Sequence, residues 1–79
     1  MPVAFVFIKS EPGKDLEIIR VLRKIREVKE ANVVYGAYDI VAKLEAPSLD
    51  GIKEVLTSEI RNLRQVKSTL TMMAMESAL

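Results

Sequence analysis

The spacing of apolar residues changes several times along this 79-residue chain, and the order of these changes constrains the fold most strongly. Val3 to Ile8 is a continuous apolar run, typical of a central strand that is buried on both faces. From about Lys14 to Arg26 the apolar residues recur every three or four positions, as on an amphipathic helix. Ser10 is predicted to cap this helix, and Pro12 suits its first turn. The chain therefore begins with a strand followed by a helix.

A β-hairpin is predicted next. Its strands run from Val28 to Tyr35 and from Tyr38 to Ala46, since both alternate mainly apolar with mainly polar residues. The tip falls at Gly36-Ala37, because glycine reaches positive φ without a Cβ clash. Asp39 follows the tip inside an otherwise apolar strand, where a carboxylate is costly to bury unless it is paired. We therefore expect the functional site at this hairpin.

A second helix and a last strand complete the pattern. Ser48 is a suitable N-cap for a helix that runs to about Asn62, and Gln65 to Met75 alternates as a strand. The order β-α-β-β-α-β predicts an α+β, ferredoxin-like fold with a four-stranded antiparallel sheet. Right-handed crossovers place both helices on one face, with the first and third strands central. We expect residues 1–79 to form one domain.

The predicted sheet has apolar residues on both faces, although helices cover only one. On the first strand the two faces alternate between Val3, Phe5, Phe7 and Ala4, Val6, Ile8. An uncovered apolar face of this size marks an interaction surface. A domain this small also usually needs extra stabilisation, and without cysteine disulfides are excluded. The sequence therefore predicts pairing with a second copy, with two-fold symmetry.

Composition excludes several functions. The net charge of +1, from 12 basic and 11 acidic residues, gives no electrostatic footprint for direct nucleic-acid binding. The apolar run from Val3 to Ile8 is too short for a membrane span and lacks the basic flank and small-residue cleavage site of a signal peptide. Without histidine or cysteine, the commonest metal ligands are missing. We expect a cytoplasmic protein that needs no cofactor or metal and does not contact membranes. Because a strand follows Met1 directly, we expect the chain to be complete.

Binding is favoured over catalysis at the hairpin. The amides of Gly36 and Ala37 are candidates to hold a carboxylate, and Asp39 is a candidate to hold an ammonium. Thr69 and Thr71 project to the same side of the last strand, where both can donate and accept hydrogen bonds. Together these groups favour a small zwitterion.

Each of these residues also has a purely structural interpretation. Gly36 can serve only the turn, and Asp39 can cap the hairpin. The threonines can reflect β propensity. Tyr35 and Tyr38 can be core or interface aromatics.

The residues from Val28 to Leu44 resemble the hairpin of the effector domain of Lrp/AsnC regulators, also called the RAM domain. The hairpin pattern of that family is a glycine, an acidic residue, an aromatic residue and an aspartate. Gly36, Tyr38 and Asp39 match it, and Ala37 replaces the acidic residue. The other matching residues are Pro12-Gly13, Val28 and Thr69-Leu70-Thr71.

This resemblance implies a βαββαβ domain that dimerises through its sheet, an assembly of the dimeric α/β-barrel type, and often forms rings of dimers. It implies an amino-acid effector bound in clefts between subunits. By position, Gly36, Tyr38 and Asp39 line that cleft, with Thr69 and Thr71 opposite. Tyr35 and Ala37 complete the candidate set.

Full-length regulators of that family carry an N-terminal helix-turn-helix, whereas this chain begins at the first strand. The chain therefore resembles a stand-alone effector domain, which would modulate a full-length regulator by co-assembly. Two alternatives stay open. One is a structural assembly domain with a vestigial cleft, which Ala37 favours. The other is a small cofactor-free enzyme of the dimeric ferredoxin-like type, such as an oxygenase, against which the lack of histidine argues.

Overall fold

A computed structural model of the chain, which describes residues 1–75, has the predicted order of elements. These are β1 (Val3–Ser10), α1 (Asp15–Leu22), β2 (Val28–Val33), β3 (Ile40–Glu45), α2 (Leu49–Val55), a π-helical turn (Leu56–Ile60) and β4 (Val66–Ala74). The strands form an antiparallel sheet in the order β2-β3-β1-β4. The predicted ferredoxin-like topology, with β1 and β3 central, is confirmed.

The hydrophobic core lies between the helices and one face of the sheet. Antiparallel pairing sets Val6 opposite Ala42 and Ile8 opposite Ile40, so that side chains of β1 and β3 share this face. The helical segments add apolar side chains from the other side of the core. The most deeply buried larger residues are Val6, Ile8, Ile18, Leu22, Ile40, Leu44, Ile52 and Ile60. One continuous apolar core therefore holds both helices on the same side of the sheet.

The opposite side of the sheet, called here the uncovered face, has no helix of residues 1–75 against it. Register places Phe5 between Lys43 and Met72, and Phe7 between Val41 and Leu70. Phe5 is 38% exposed, Leu70 41% and Met72 53%. The prediction that β1 is buried on both faces is therefore wrong for a single chain. Both helices cross on the same side, so the second apolar face of β1 meets solvent.

Helix α1 is shorter than predicted. It ends at Leu22, after which Lys24 and Ile25 donate to carbonyls three residues earlier, at 3.1 Å each. These tighter turns bring Ile25 into the core and turn the chain towards β2. Ser10 does not cap the helix, which begins at Asp15 and receives no side-chain N-cap bond from the described residues. Ser10 is instead the last residue of β1.

The predicted cap of the second helix is confirmed. The Ser48 hydroxyl accepts a hydrogen bond of 3.1 Å from the Gly51 N–H. The helix continues beyond α2 as the π-helical turn, in which Arg61 N–H donates to the Leu56 carbonyl at 2.8 Å. The hydroxyls of Thr57 and Ser58 donate to backbone carbonyls of the preceding turn. Such side-chain bonds compete with the regular helical ladder, which accounts for the wider last turn.

Replacing Ser48 with alanine should lower the free energy of unfolding by about 1 kcal/mol, because the helix loses its N-cap acceptor. Urea denaturation followed by circular dichroism measures the change. Ser48→Asp is the matched control, since aspartate supplies an equivalent acceptor and should keep nearly full stability. Equal stability of Ser48→Ala and the wild type would show that this cap does not contribute.

Strands β2 and β3 pair as the predicted hairpin, with Ala31 opposite Ala42 and Val33 opposite Ile40. The connection is wider than a two-residue tip, because regular pairing stops at Val33 and Ile40. One further bond, from the Val34 N–H to the Asp39 carbonyl at 2.9 Å, closes the loop. The predicted strand limits at Tyr35 and Tyr38 are therefore wrong. The Asp39 N–H donates to the Ile8 carbonyl of β1, at 2.9 Å.

Candidate functional site

Asp39 lies just before β3 and joins the hairpin to the end of β1. Its Oδ2 accepts bonds from the Ser10 N–H at 2.9 Å and from the Ser10 hydroxyl at 3.4 Å. Ser10 is only 8% exposed, so this contact satisfies a nearly buried backbone donor. Within residues 1–75 no hydrogen bond uses Oδ1. Asp39 is therefore held in place through Oδ2, and its Oδ1 is left to bind a molecule outside the described chain.

The loop before Asp39 presents unused donors. Tyr35, Gly36 and Ala37 are exposed, and Gly36 has φ of 130°, a conformation that strains any residue with a Cβ. In the described part of the chain, no hydrogen bond uses the backbone N–H of Gly36 or Ala37. Tyr35 is fully exposed and is not a core residue. The loop can thus offer two amides and an aromatic ring to a molecule outside this chain.

Tyr38 lies on the uncovered face. Its ring packs against Phe7 with a centroid distance of 5.9 Å and an interplanar angle of 59°. The sequence alternation predicted that Tyr38 shares a face with Ile40, and this is wrong. The chain bends at Asp39, so strand periodicity does not extend back to Tyr38. Tyr38 is therefore half-buried, with its ring against an apolar surface.

Thr69 and Thr71 lie on the same side of β4, as predicted, but on the face that carries the helices. Register pairs Thr69 with Ile8 and Thr71 with Val6, whose side chains belong to the core. The hydroxyl oxygen of Thr71 is buried and has no hydrogen-bond partner in residues 1–75. Two strand spacings, about 10 Å, separate Thr69 from β3. One chain thus does not bring the threonines and Tyr38 to a common surface.

A groove of about 430 Å³ opens at the end of β1, beside Asp39. This volume is within the usual range for small-molecule sites. We call it the β1-end groove. Its lining residues are Lys9, Ser10, Pro12, Gly13, Asp15, Asp39 and Lys67. Of the predicted site residues only Asp39 contributes, and sequence reasoning missed Lys9, Asp15 and Lys67, which carry no local signal.

In a neighbouring groove, two of the charged side chains are already paired with each other. Lys14 and Glu17 line it, and their ion pair spans 3.2 Å between Nζ and Oε2. The hydrogen bond and positive charge of Lys14 lower the pKa of Glu17 below its ordinary value. Lys14 and Glu17 therefore satisfy each other, whereas Lys9 and Lys67 of the β1-end groove form no ion pair within residues 1–75.

No three His, Cys, Asp or Glu side chains of residues 1–75 lie together as a metal site. No helix over the same residues is long and apolar enough to cross a membrane.

An antiparallel βαββαβ sheet with an apolar uncovered face and a groove beside a Gly-Ala-Tyr-Asp loop fits a small ligand-binding domain. Residues 3–79 match the family model of the Lrp/AsnC ligand binding domain. The chain belongs to this family, and the prediction drawn from its hairpin is confirmed.

Relatives by sequence are transcription regulators. An uncharacterized HTH-type transcriptional regulator from Pyrococcus furiosus is 30% identical over 74 residues, covering 90% of this chain and 49% of the regulator. The proline dehydrogenase transcriptional activator of Rhizobium radiobacter is 30% identical over 78 residues, covering 95% and 50%. The chain thus spans about half the length of these relatives.

Solved structures have the same fold. FFRP-DM1 superposes with a TM-score of 0.91 and 38% identity, covering 94% of this chain and 99% of that one. AsnC of E. coli has a TM-score of 0.90 and 26% identity, covering 99% of this chain and 53% of AsnC.

Proposed function

We propose that residues 1–79 form one effector-binding domain that takes up a free amino acid and thereby modulates transcription regulators. The observation that carries this proposal is Asp39, whose Oδ2 is fixed by Ser10 while its Oδ1 has no partner in residues 1–75. A fixed carboxylate with a free oxygen suits an ammonium group. The amides of Gly36 and Ala37, which have no partner among the described residues, lie in the same loop and suit a carboxylate.

The domain acts as a homo-oligomer in this proposal. A second copy covers Phe5, Leu70 and Met72 of the uncovered face through a two-fold interface, which removes an exposed apolar patch from water. Further association of dimers into a ring follows the family resemblance. Tyr35, which is fully exposed at the loop, supports a contact beyond the uncovered face.

The amino acid binds in a cleft between chains. Tyr38 and the threonines of β4 lie on opposite faces of one sheet, which supports a cleft shared by two copies. In this cleft Tyr35 to Asp39 come from one chain, and Thr69 and Thr71 from another.

The protein partner is a full-length Lrp/AsnC regulator, which this domain joins by co-assembly in the cytoplasm. The sequence relatives that share about half their length with this chain are regulators, which supports such a partner. No enzymatic activity is part of the proposal.

Calorimetric titration with each of the twenty amino acids tests the proposal. L-methionine is titrated first, because the structure of a Neisseria meningitidis transcriptional regulator with the same fold, 14% identical to this chain, is a complex with L-Met. We expect at least one amino acid to bind with a Kd below about 1 mM, equivalent to roughly 4 kcal/mol. No heat from any of the twenty, with protein shown to be folded by circular dichroism, would contradict amino-acid binding.

A structural assembly domain with a vestigial cleft is the second candidate. Ala37 favours it, since the family's acidic side chain is missing at an exposed loop position. The bonds from Ser10 to Asp39 also give that carboxylate a structural role. Co-purification with a full-length regulator that is equally strong with and without amino acids would support this second candidate.

A further inference from the structure

We propose that Lys9 and Lys67 form the cationic half of the amino-acid site, and that the β1-end groove binds both charged groups of the ligand. In this arrangement Asp39 binds the α-ammonium, and the two lysines add positive charge for the α-carboxylate to the amides of Gly36 and Ala37. The inference rests on the proposed function and extends it to two residues of β1 and β4. It predicts that the domain selects zwitterions over amines or carboxylic acids.

The first support is position. Lys9, Lys67 and Asp39 line one groove of about 430 Å³, although they are far apart in the chain. Lys9 directly precedes Ser10, the residue that holds the Asp39 carboxylate, and Ser68, the neighbour of Lys67, pairs with Lys9 across the strands. The sheet register therefore brings the two basic side chains to the same end of β1 as the free oxygen of Asp39.

The second support is the absence of internal partners. Lys14 pairs with Glu17 at 3.2 Å, and Lys43 pairs with Glu45 at 3.7 Å. Among residues 1–75, Lys9 and Lys67 form no ion pair, although Asp15 and Asp39 line the same groove. Separated opposite charges in one groove attract a molecule that carries both charges and spans the gap.

The third support is preorganisation. The two bonds from Ser10 fix one oxygen of Asp39, so the other oxygen keeps its direction without a ligand. Gly13, also at the groove, has φ of 75°, and no atom of residues 1–75 lies within 4 Å of an added Cβ, so this wall is open. The Asp39 carboxylate is therefore fixed in position, and the flexible lysine side chains adjust to the carboxylate of the ligand.

The test combines charge removal on the protein with charge removal on the ligand. Each of the twenty amino acids is titrated into wild type, the double variant Lys9→Met/Lys67→Met, Asp39→Asn and the control Lys29→Met. Lys29 lies at the opposite end of the sheet, where its ammonium donates to the Arg26 carbonyl. Every amino acid that binds is also titrated as its methyl ester, which lacks the carboxylate charge, and as its N-acetyl derivative, which lacks the ammonium.

We expect the double variant to bind at least tenfold more weakly than wild type, and Lys29→Met to bind as wild type. Wild type should bind the methyl ester more weakly than the amino acid, because the ester lacks the carboxylate charge that the lysines bind. For the same reason, the double variant should bind the ester no more weakly than wild type does. Wild type should also bind the N-acetyl derivative more weakly than the amino acid, and Asp39→Asn should bind that derivative no more weakly than wild type does.

Two outcomes would overturn the inference, and they differ in what they say about the proposed function. If the double variant binds as tightly as wild type while Asp39→Asn loses binding, the lysines are not the carboxylate site and amino-acid binding stands. If wild type binds none of the twenty, the proposed function and this inference both fail. Circular dichroism of each variant confirms that a lost signal does not come from unfolding.

Discussion

Replacing Phe5 with glutamate is expected to dissociate the protein into monomers. Phe5 lies at the centre of the uncovered face, between Lys43 and Met72, and a second copy covers it in the proposed dimer. A carboxylate there would be buried beside its symmetry mate, and the neighbouring Lys43 is already paired with Glu45 at 3.7 Å, so burial of the added charge is strongly unfavourable. We expect the dimer dissociation constant to rise at least 100-fold, about 3 kcal/mol, as measured by sedimentation velocity over a range of concentrations.

Leu16→Glu is the matched control, because Leu16 is 59% exposed on α1, away from the uncovered face. This variant should sediment as wild type. Met72→Lys provides a second disruption from the neighbouring strand, in case Phe5→Glu does not fold. A wild-type protein that is monomeric at micromolar concentration would contradict pairing through this face.

Replacing Asp39 with asparagine should abolish most amino-acid binding while preserving the fold. The asparagine side-chain oxygen still accepts from the Ser10 N–H, so the buried donor stays satisfied. The negative charge that attracts the ligand ammonium is lost. A charge-assisted bond of this kind contributes about 1.5–3 kcal/mol, so calorimetry should show affinity reduced by roughly tenfold to 100-fold.

Asp39→Ala separates the two roles of this residue. Alanine removes the acceptor, and the N–H of nearly buried Ser10 is left without a partner. We expect the free energy of unfolding to fall by about 1–3 kcal/mol, measured by urea denaturation. Should Asp39→Asn destabilise the fold as much as Asp39→Ala and leave amino-acid affinity unchanged, Asp39 would be a structural residue only.

Periodicity, together with cap and turn residues, predicted most of the architecture. The recurrence of Leu16, Ile19 and Leu22 every three residues identified α1, although Leu16 is 59% exposed in the structure. Ser48 identified the start of α2. The order of helical and strand spacings, with right-handed crossovers, predicted the sheet order β2-β3-β1-β4. Glycine at position 36 identified the hairpin loop, which has the positive φ expected. These features are local, because they depend on residues a few positions apart.

The arrangement of the candidate site could not be predicted in the same way. Ser10 and Asp39 are 29 residues apart, and only sheet pairing brings them into contact. The bend at Asp39 moves Tyr38 to the uncovered face, whereas Thr69 and Thr71 face the helices. Local periodicity gives no information on such contacts, since any polar residue at a strand end would match the same pattern.

The sequence by itself determined the element order, the two-layer fold and the family, because each depends on short-range spacing or on a contiguous motif. Only the tertiary structure decided which faces the site residues occupy, which oxygen of Asp39 is free and which lysines stand beside it. Such contacts depend on where distant segments end in space, and a few residues' difference in a turn is enough to change them.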